Sequence, residues 1–282
     1  MMCDMKTATS SSSSYICWTS RRRNMLRLYR QEMFKLLRHR GTYFCLVLVI
    51  LQNIGCAWLS DLYRQTTRTS DLWVANFASP WLITVIMIAA TATTIASEVE
   101  FNTLKDLVTQ AYSREQVLIS KWLTMLTYSV VLYAVMLGTT FINKFMWPSN
   151  QFAVTASFPG TPSLIWQVWL ASTAANFMTM WLLLSVVFLL AVKFKRGVTA
   201  ASVGVVGYVI LLGLSRMTTQ AVDKWEFLKW NPLNLLNYPV QLITIWLPKV
   251  THLTNNQMFI GNLGYILVFL GLGLYFFGKR EV

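Results

Sequence analysis

The sequence predicts an all-α integral membrane protein. It should have six transmembrane helices, an N-terminal interfacial amphipathic helix and a re-entrant element before the last span. Three observations carry this prediction. The 282 residues are 55 % hydrophobic and only 12 % charged, whereas a soluble domain carries roughly 25 % charged residues. Six apolar stretches, near 43–60, 80–97, 117–142, 164–192, 198–215 and 258–277, approach or exceed the ~20 residues that a spanning helix needs. The basic residues are also distributed unevenly between the connecting segments, as a membrane topology requires.

The spans are expected as helices because backbone groups in lipid must be satisfied within the segment. Their apolar runs are too continuous for the alternating strands of a barrel. The net charge of +13 reads as a topology signal rather than a nucleic-acid footprint. Nine of the 24 Lys and Arg residues precede the first span, and placing that end inside puts 17 on the inner side and 7 on the outer. The positive-inside rule then puts both termini of the multi-pass chain in the cytoplasm, and the plasma membrane is its expected location.

Residues 1–23 are Ser/Thr-rich, with five serines in a row from Ser10, and are predicted to be disordered. Arg22-Arg23-Asn24-Met25-Leu26-Arg27 superficially resembles a twin-arginine signal. The charges at Glu32, Lys35, Arg38 and Arg40 separate it from the apolar region, which argues against cleavage. The segment from Met25 reads as a natural start, with residues 1–24 an upstream extension of little function. Residues 24–40 place Leu26, Tyr29, Met33, Phe34 and Leu37 near one helical face, with Arg27, Arg30, Lys35 and Arg38 largely elsewhere. This pattern predicts a basic amphipathic helix lying in the inner interface, its residues Arg27, Arg30, Met33, Phe34 and Lys35 meeting the bilayer.

From residue 24 to 282 the chain reads as one six-helix transmembrane domain. The loop at 61–79 is short and charge-balanced, and the third span runs outward to Trp147-Pro148. The loop at 149–162 carries Pro, Gly and Ser without charge and predicts an irregular cap. Lys193-Phe194-Lys195-Arg196-Gly197 is a tight inner turn between adjacent antiparallel helices. Gly204, Gly207 and Gly213 allow close helix approach, either within the monomer or between subunits. Segment 216–257 contains an apolar run from Val240 to Leu247 bracketed by Pro239 and Pro248. It is too short to span, and an extracellular, re-entrant or interfacial element is expected there.

Nine of the twelve tryptophans, at 58, 73, 81, 147, 166, 169, 225, 230 and 246, fall at or beyond the outer face. They suggest a wide, partly immersed outer surface. Cys45 and Cys56 lie within the first span, and no CxxC pair occurs, so the cysteines read as small apolar packing residues. No GxxxxGK[ST] phosphate loop and no HExxH spacing occur, and His39 and His252 read as surface residues. None of the eleven acids falls in the middle of a span, which weakens an ion-coupled transporter and an intramembrane hydrolase. An external energy source is therefore expected.

The segment Glu98 to Trp122 is the candidate site of attachment. Glu98 and Glu100 open it, and Phe101, Leu104, Leu107 and Val108 share one helical face over 98–112. The chain turns at Ala111-Tyr112-Ser113, and Ser113 with Gln116 forms a possible capping box that restarts the helix. Glu98-x-Glu100-Phe101-Asn102-Thr103-Leu104-Lys105-Asp106-Leu107, followed by Ser113-Arg114 and then Lys121, resembles the region between the second and third spans of ABC-2 type permeases. That family reads an acid, then GTL-K-LL, a P-x-S-R turn and a lysine about seven residues on. Thr103, Leu104, Lys105, Leu107, Ser113, Arg114 and Lys121 match, while Asn102 stands for the usual Gly and Ala111 for the usual Pro. The basic amphipathic start, the six spans and the element before the last span are similar to the family as well.

The resemblance implies the membrane subunit of an ABC exporter, a permease without its own ATPase site. ATP and magnesium are expected on a separate ABC ATPase, two copies of which would bind the permease. A second permease subunit would complete a homodimer or heterodimer in the lipid bilayer. Phe101, Thr103, Leu104, Leu107, Val108 and Ser113 would contact the ATPase, with Glu98, Glu100, Lys105 and Arg114 orienting the contact. The tryptophan-rich outer surface suggests a hydrophobic or amphipathic cargo such as an antimicrobial peptide, lipid or drug. The alternatives are an ion-coupled secondary transporter or a non-transporting membrane adaptor or immunity protein.

Overall fold

The computed structural model describes residues 11–63, 68–100, 114–147, 152–191, 194, 196–222 and 224–279. Among them the protein is built from helices without strands. All six expected spans are present, as α2 (Arg40–Leu62), α4 (Ser79–Glu100), α5 (Arg114–Met146), α6 (Ile165–Ala191), α7 (Gly197–Val222) and α11 (Asn255–Lys279). Before them lies α1 (Ser11–Arg38), and α3 (Thr69–Val74) precedes α4.

α1 begins at Ser11, within the Ser/Thr-rich stretch. Extending an existing helix is far cheaper than nucleating one, even through residues of middling propensity. It stops at His39, whose backbone is extended and whose Nδ1 accepts a hydrogen bond from the Gly41 amide at 3.2 Å, capping α2. α5 has 33 residues, about 50 Å at 1.5 Å per residue. That exceeds the ~30 Å hydrocarbon core, so its ends stand outside the apolar layer.

α6 is apolar on every face and forms the centre of the bundle, as an all-round hydrophobic helix must. α3, α4, α9 and α11 pack around it. The core runs through Ile83, Met87, Ile88, Leu132, Met136, Leu184 and Phe188. α7 packs mainly on α4. At Gly204 an added Cβ would meet Ile88 Cγ2 at 2.7 Å, whereas Gly207 and Gly213 face open space. Only the first of the three glycines therefore serves packing within the chain.

The segment 216–257 breaks into a 3₁₀ turn (Glu226–Trp230), α8 (Pro232–Leu235), α9 (Tyr238–Ile243) and α10 (Leu247–Thr251). None is long enough to cross a membrane. The apolar run from Val240 breaks at Thr244, where the backbone becomes extended. These pieces are held by buried amides. Gln241 Nε2 donates to the Leu253 carbonyl and to Asn255 Oδ1, each at 2.9 Å, and Thr251 Oγ1 donates to Gln241 Oε1 at 2.6 Å. Asn237 Nδ2 donates to the Ser215 carbonyl at 3.2 Å, fixing the segment to α7.

The nine tryptophans expected at the outer face divide into two groups. Trp58, Trp81, Trp166, Trp225, Trp230 and Trp246 are exposed, as interface anchors should be. Trp73 is buried, its ring 4.6 Å from that of Trp169 and 5.6 Å from Phe152. This second group is a packed core at the bundle end remote from α1, joined by Phe77, Phe158, Ile165 and Val168.

Candidate functional site

The expected attachment segment divides at the limit of the described residues. Glu98 and Glu100 lie in the last turn of α4, and Arg114 is the first residue of α5. Phe101, Thr103, Leu104, Lys105, Leu107, Val108 and Ser113 lie outside the described residues. The structure therefore describes the two legs of the segment, and what joins them.

The join is Lys121, which the motif places seven residues after Arg114. Its side chain is buried. Nζ donates to Glu32 Oε2 of α1 at 3.1 Å and to the Thr94 carbonyl of α4 at 3.2 Å. One ammonium thus ties both legs to each other and to α1. Glu32 is also buried, at 6 % exposed, and its other oxygen accepts from Lys35 Nζ at 2.6 Å. Burial pushes the Glu32 carboxyl up, but the charges of Lys121 and Lys35 and their hydrogen bonds outweigh it and hold it below its ordinary value.

This pair fixes how α1 is rotated. The face turned to the protein carries Met25, Leu28, Tyr29, Glu32, Met33 and Leu36, the i, i+3, i+4, i+7 stripe of a docked helix. Leu28 is 1 % exposed, and the Tyr29 hydroxyl is hydrogen-bonded to Thr127 Oγ1 of α5 at 2.8 Å. Of the apolar face expected to meet the bilayer, Leu26, Phe34 and Leu37 are exposed. Tyr29 and Met33 are instead partly covered by the protein. Arg27, Arg30 and Lys35 are exposed. α1 carries apolar residues on two faces, and sequence periodicity alone does not say which one docks. Glu32 marks the docked side, because a lone acid among basic residues is covered only where a cation meets it.

A second polar cluster lies at the opposite end, and sequence reasoning missed it. Asn76, Phe77 and Ala78 have φ of 51°, 50° and 60°, three consecutive non-glycine residues in the left-handed region. Each costs about 1–2 kcal/mol relative to the right-handed form. The turn persists because α2 meets its redirected carbonyls. Asn53 Nδ2 donates to the Asn76 carbonyl at 3.2 Å and Gln52 Nε2 to the Phe77 carbonyl at 2.9 Å. Asn53 Nδ2 also lies 2.8 Å from Ser79 Oγ and 3.0 Å from Thr140 Oγ1, and Asn143 Nδ2 donates to Asn53 Oδ1 at 2.8 Å. The Asn76 side chain donates to Thr173 Oγ1 at 2.9 Å and accepts from Trp169 Nε1 at 2.8 Å. The available signal was two asparagines in apolar surroundings, Asn53 within α2 and Asn76 just before α4. Asparagine is the non-glycine residue most tolerant of left-handed geometry.

α4 therefore runs unbroken from a strained, amide-held turn at one end to Glu98 and Glu100, where the expected attachment segment begins, at the other. The family model described as ABC-2 family transporter protein matches residues 26–282. No curated protein matches the chain.

Proposed function

The chain belongs to the ABC-2 transporter family, and on that premise we propose that it couples ATP-driven work at the segment between α4 and α5 to export across the plasma membrane. Membership makes it a membrane-embedded permease of an ABC transporter that associates with an ABC ATPase carried on a separate subunit. In the proposed assembly two permease subunits form the pathway, with both termini in the cytoplasm. Two ATPase copies grip the segments through Phe101, Leu104, Leu107 and Val108. Glu98, Glu100, Lys105 and Arg114 orient the grip through charges at its rim, which set specificity more than affinity.

The observation that carries this reading is the Lys121 junction. A force applied to the segment reaches α4 and α5 together, because Lys121 bonds Thr94 across the two legs. It reaches α1 as well, through Glu32. The cargo proposed is hydrophobic or amphipathic, supported by the six exposed tryptophans. The test is co-purification of the permease with a candidate ABC ATPase, followed by ATPase measurement in vesicles with and without amphipathic peptide. Peptide-stimulated hydrolysis by the joint complex is expected. An ion gradient that drives flux without the ATPase would overturn the reading.

A further inference from the structure

Around α1 the side chains are sorted by charge. Glu32 is the only acid between Asn24 and Arg40, and it is turned into the protein against Lys121. Arg27, Arg30 and Arg38 are exposed, as are Leu26, Phe34 and Leu37. At about 100° per residue these six follow one another round the helix as Leu26, Leu37, Arg30, Phe34, Arg27 and Arg38, over about a third of its circumference. Arg30 lies within the apolar stripe, four residues from both Leu26 and Phe34. The Arg38 guanidinium lies over the Phe34 ring, 5.8 Å from its centre.

The docked face decides which edge of this surface is turned to the bilayer. Lys121, the partner of Glu32, lies near the end of α5, and Thr127, the partner of Tyr29, lies six residues nearer the middle of that span. The membrane is therefore on the Tyr29 side of α1. Round the helix from Tyr29, the first exposed residues are Leu26, Leu37 and Arg30, and Arg27 and Arg38 come later. Leucine side chains thus give way to guanidinium groups with distance from the apolar layer, in the order in which hydrocarbon gives way to phosphate in a leaflet. An arginine on such an edge keeps its stem among apolar groups and raises its head to the phosphates. His39 alone separates α1 from α2, whose exposed Phe44, Val47 and Leu51 continue the apolar surface into a span. We propose that this face of α1 binds anionic phospholipid in preference to zwitterionic lipid. The phosphate is received by Arg30 with Arg27 and Arg38, and an acyl chain lies against Leu26, Phe34 and Leu37. The preference comes from the sorting of charge: three arginines face the leaflet, and the one carboxylate that would repel its phosphates is held away by Lys121. The site does not depend on the identity of the ATPase or the cargo.

The test uses the full chain in phosphatidylcholine vesicles with a minor share of phosphatidylglycerol. Trace phosphatidylglycerol or trace phosphatidylcholine carries the same photoactivatable diazirine near the top of one acyl chain, and adducts are mapped by mass spectrometry. The exposed face of α11 at Leu272, Tyr275 and Phe276 reports bulk lipid at the same end of the bundle, where Gly273 approaches Trp122 of α5. Relative to that face, residues 26–38 should be labelled at least about fivefold more by the phosphatidylglycerol probe than by the phosphatidylcholine probe, the factor that one arginine contributes at an anionic surface. Salt at about 1 M should erase the preference. Arg27→Gln, Arg30→Gln and Arg38→Gln together should bring the ratio down to that of α11, whose unchanged labelling reports that the variant is folded. Equal labelling of α1 by the two probes, a preference that survives the triple change, or no labelling of α1 by either probe, as a protein partner over this face would give, would each overturn the proposal.

Discussion

Glu32 and Lys121 stand 89 positions apart in the chain, yet their charged atoms meet at 3.1 Å, both side chains buried where α1 crosses α5. Removing one partner of a buried ion pair leaves a charge without compensation, at about 3–5 kcal/mol. Lys121→Met is therefore expected to lower the unfolding temperature in detergent sharply. Lys121→Met combined with Glu32→Leu should recover much of the loss, since an apolar pair carries no uncompensated charge. A double mutant no more stable than Lys121→Met would show that the pair is not what joins α1 to α5.

The same pair predicts a pH dependence. The Glu32 carboxyl is depressed in the folded protein. Such a group contributes its full stabilisation above its unfolded value, about pH 4.3 for glutamate, and loses it as pH falls through the lower folded value. Acid unfolding of the intact chain should therefore steepen below about pH 4. The Glu32→Gln variant, less stable at neutral pH, should converge on the unmodified protein in that range. Parallel curves that never converge would remove Glu32 as the cause.

In the proposed attachment segment, Leu104→Asp is expected to abolish ATPase association while leaving membrane insertion intact. An aspartate placed on a contact face is desolvated without a partner. Co-purification of the ATPase with tagged permease measures the first effect, and membrane fractionation measures the second. Full association in the variant would place the contact elsewhere.

The amides around Asn53 supply a separate stability prediction. Asn53→Leu removes the amide donor to the Asn76 carbonyl and the Oδ1 acceptor of the 2.8 Å bond from Asn143, at about 1–3 kcal/mol for the carbonyl left unsatisfied. A fall of that order in stability to denaturant is expected, together with faster proteolysis around α3. An unchanged midpoint would mean that the cluster does not hold the turn.

At the turn itself, Ala78→Gly is expected to be neutral or stabilising by up to about 1 kcal/mol, because glycine escapes the left-handed cost while losing part of that gain to chain entropy. Asn76→Val should destabilise clearly, since a β-branched residue is poorly suited to φ near 50° and cannot replace the bonds to Thr173 and Trp169. The two variants, compared by thermal unfolding, separate backbone strain from side-chain bonding.

Much of the fold was legible because the bilayer imposes a length and a polarity on each span. The six apolar stretches of the sequence are the six long helices of the structure, within a few residues at most ends. The largest difference is at α7, expected to end at 215 but continuing to Val222. There Arg216 is tolerated because it is exposed, while Ser215 and Thr218 on the covered face are satisfied by hydrogen bonds. The candidate site was legible in part. Lys121 was visible as a motif position, but Glu32 was one more charge in a basic helix until α5 was laid against it.

By itself, the sequence determined the class, the number of spans, the short broken segment before the last helix and the family. The class, the spans and the short segment follow from local composition and periodicity, which report how each segment meets its solvent, whereas the family rests on a motif resemblance and on the family model that matches residues 26–282. The tertiary structure decided which face of α1 docks, which of the α7 glycines packs, which tryptophans are core rather than anchor, and that Lys121 binds three helices at once. It also supplied the left-handed turn at Asn76–Ala78, whose local cost is offset by the Gln52 and Asn53 amides of α2 and by Thr173 and Trp169 of α6. Those choices depend on contacts between residues distant in the chain, and no local pattern encodes where a buried donor will find its acceptor.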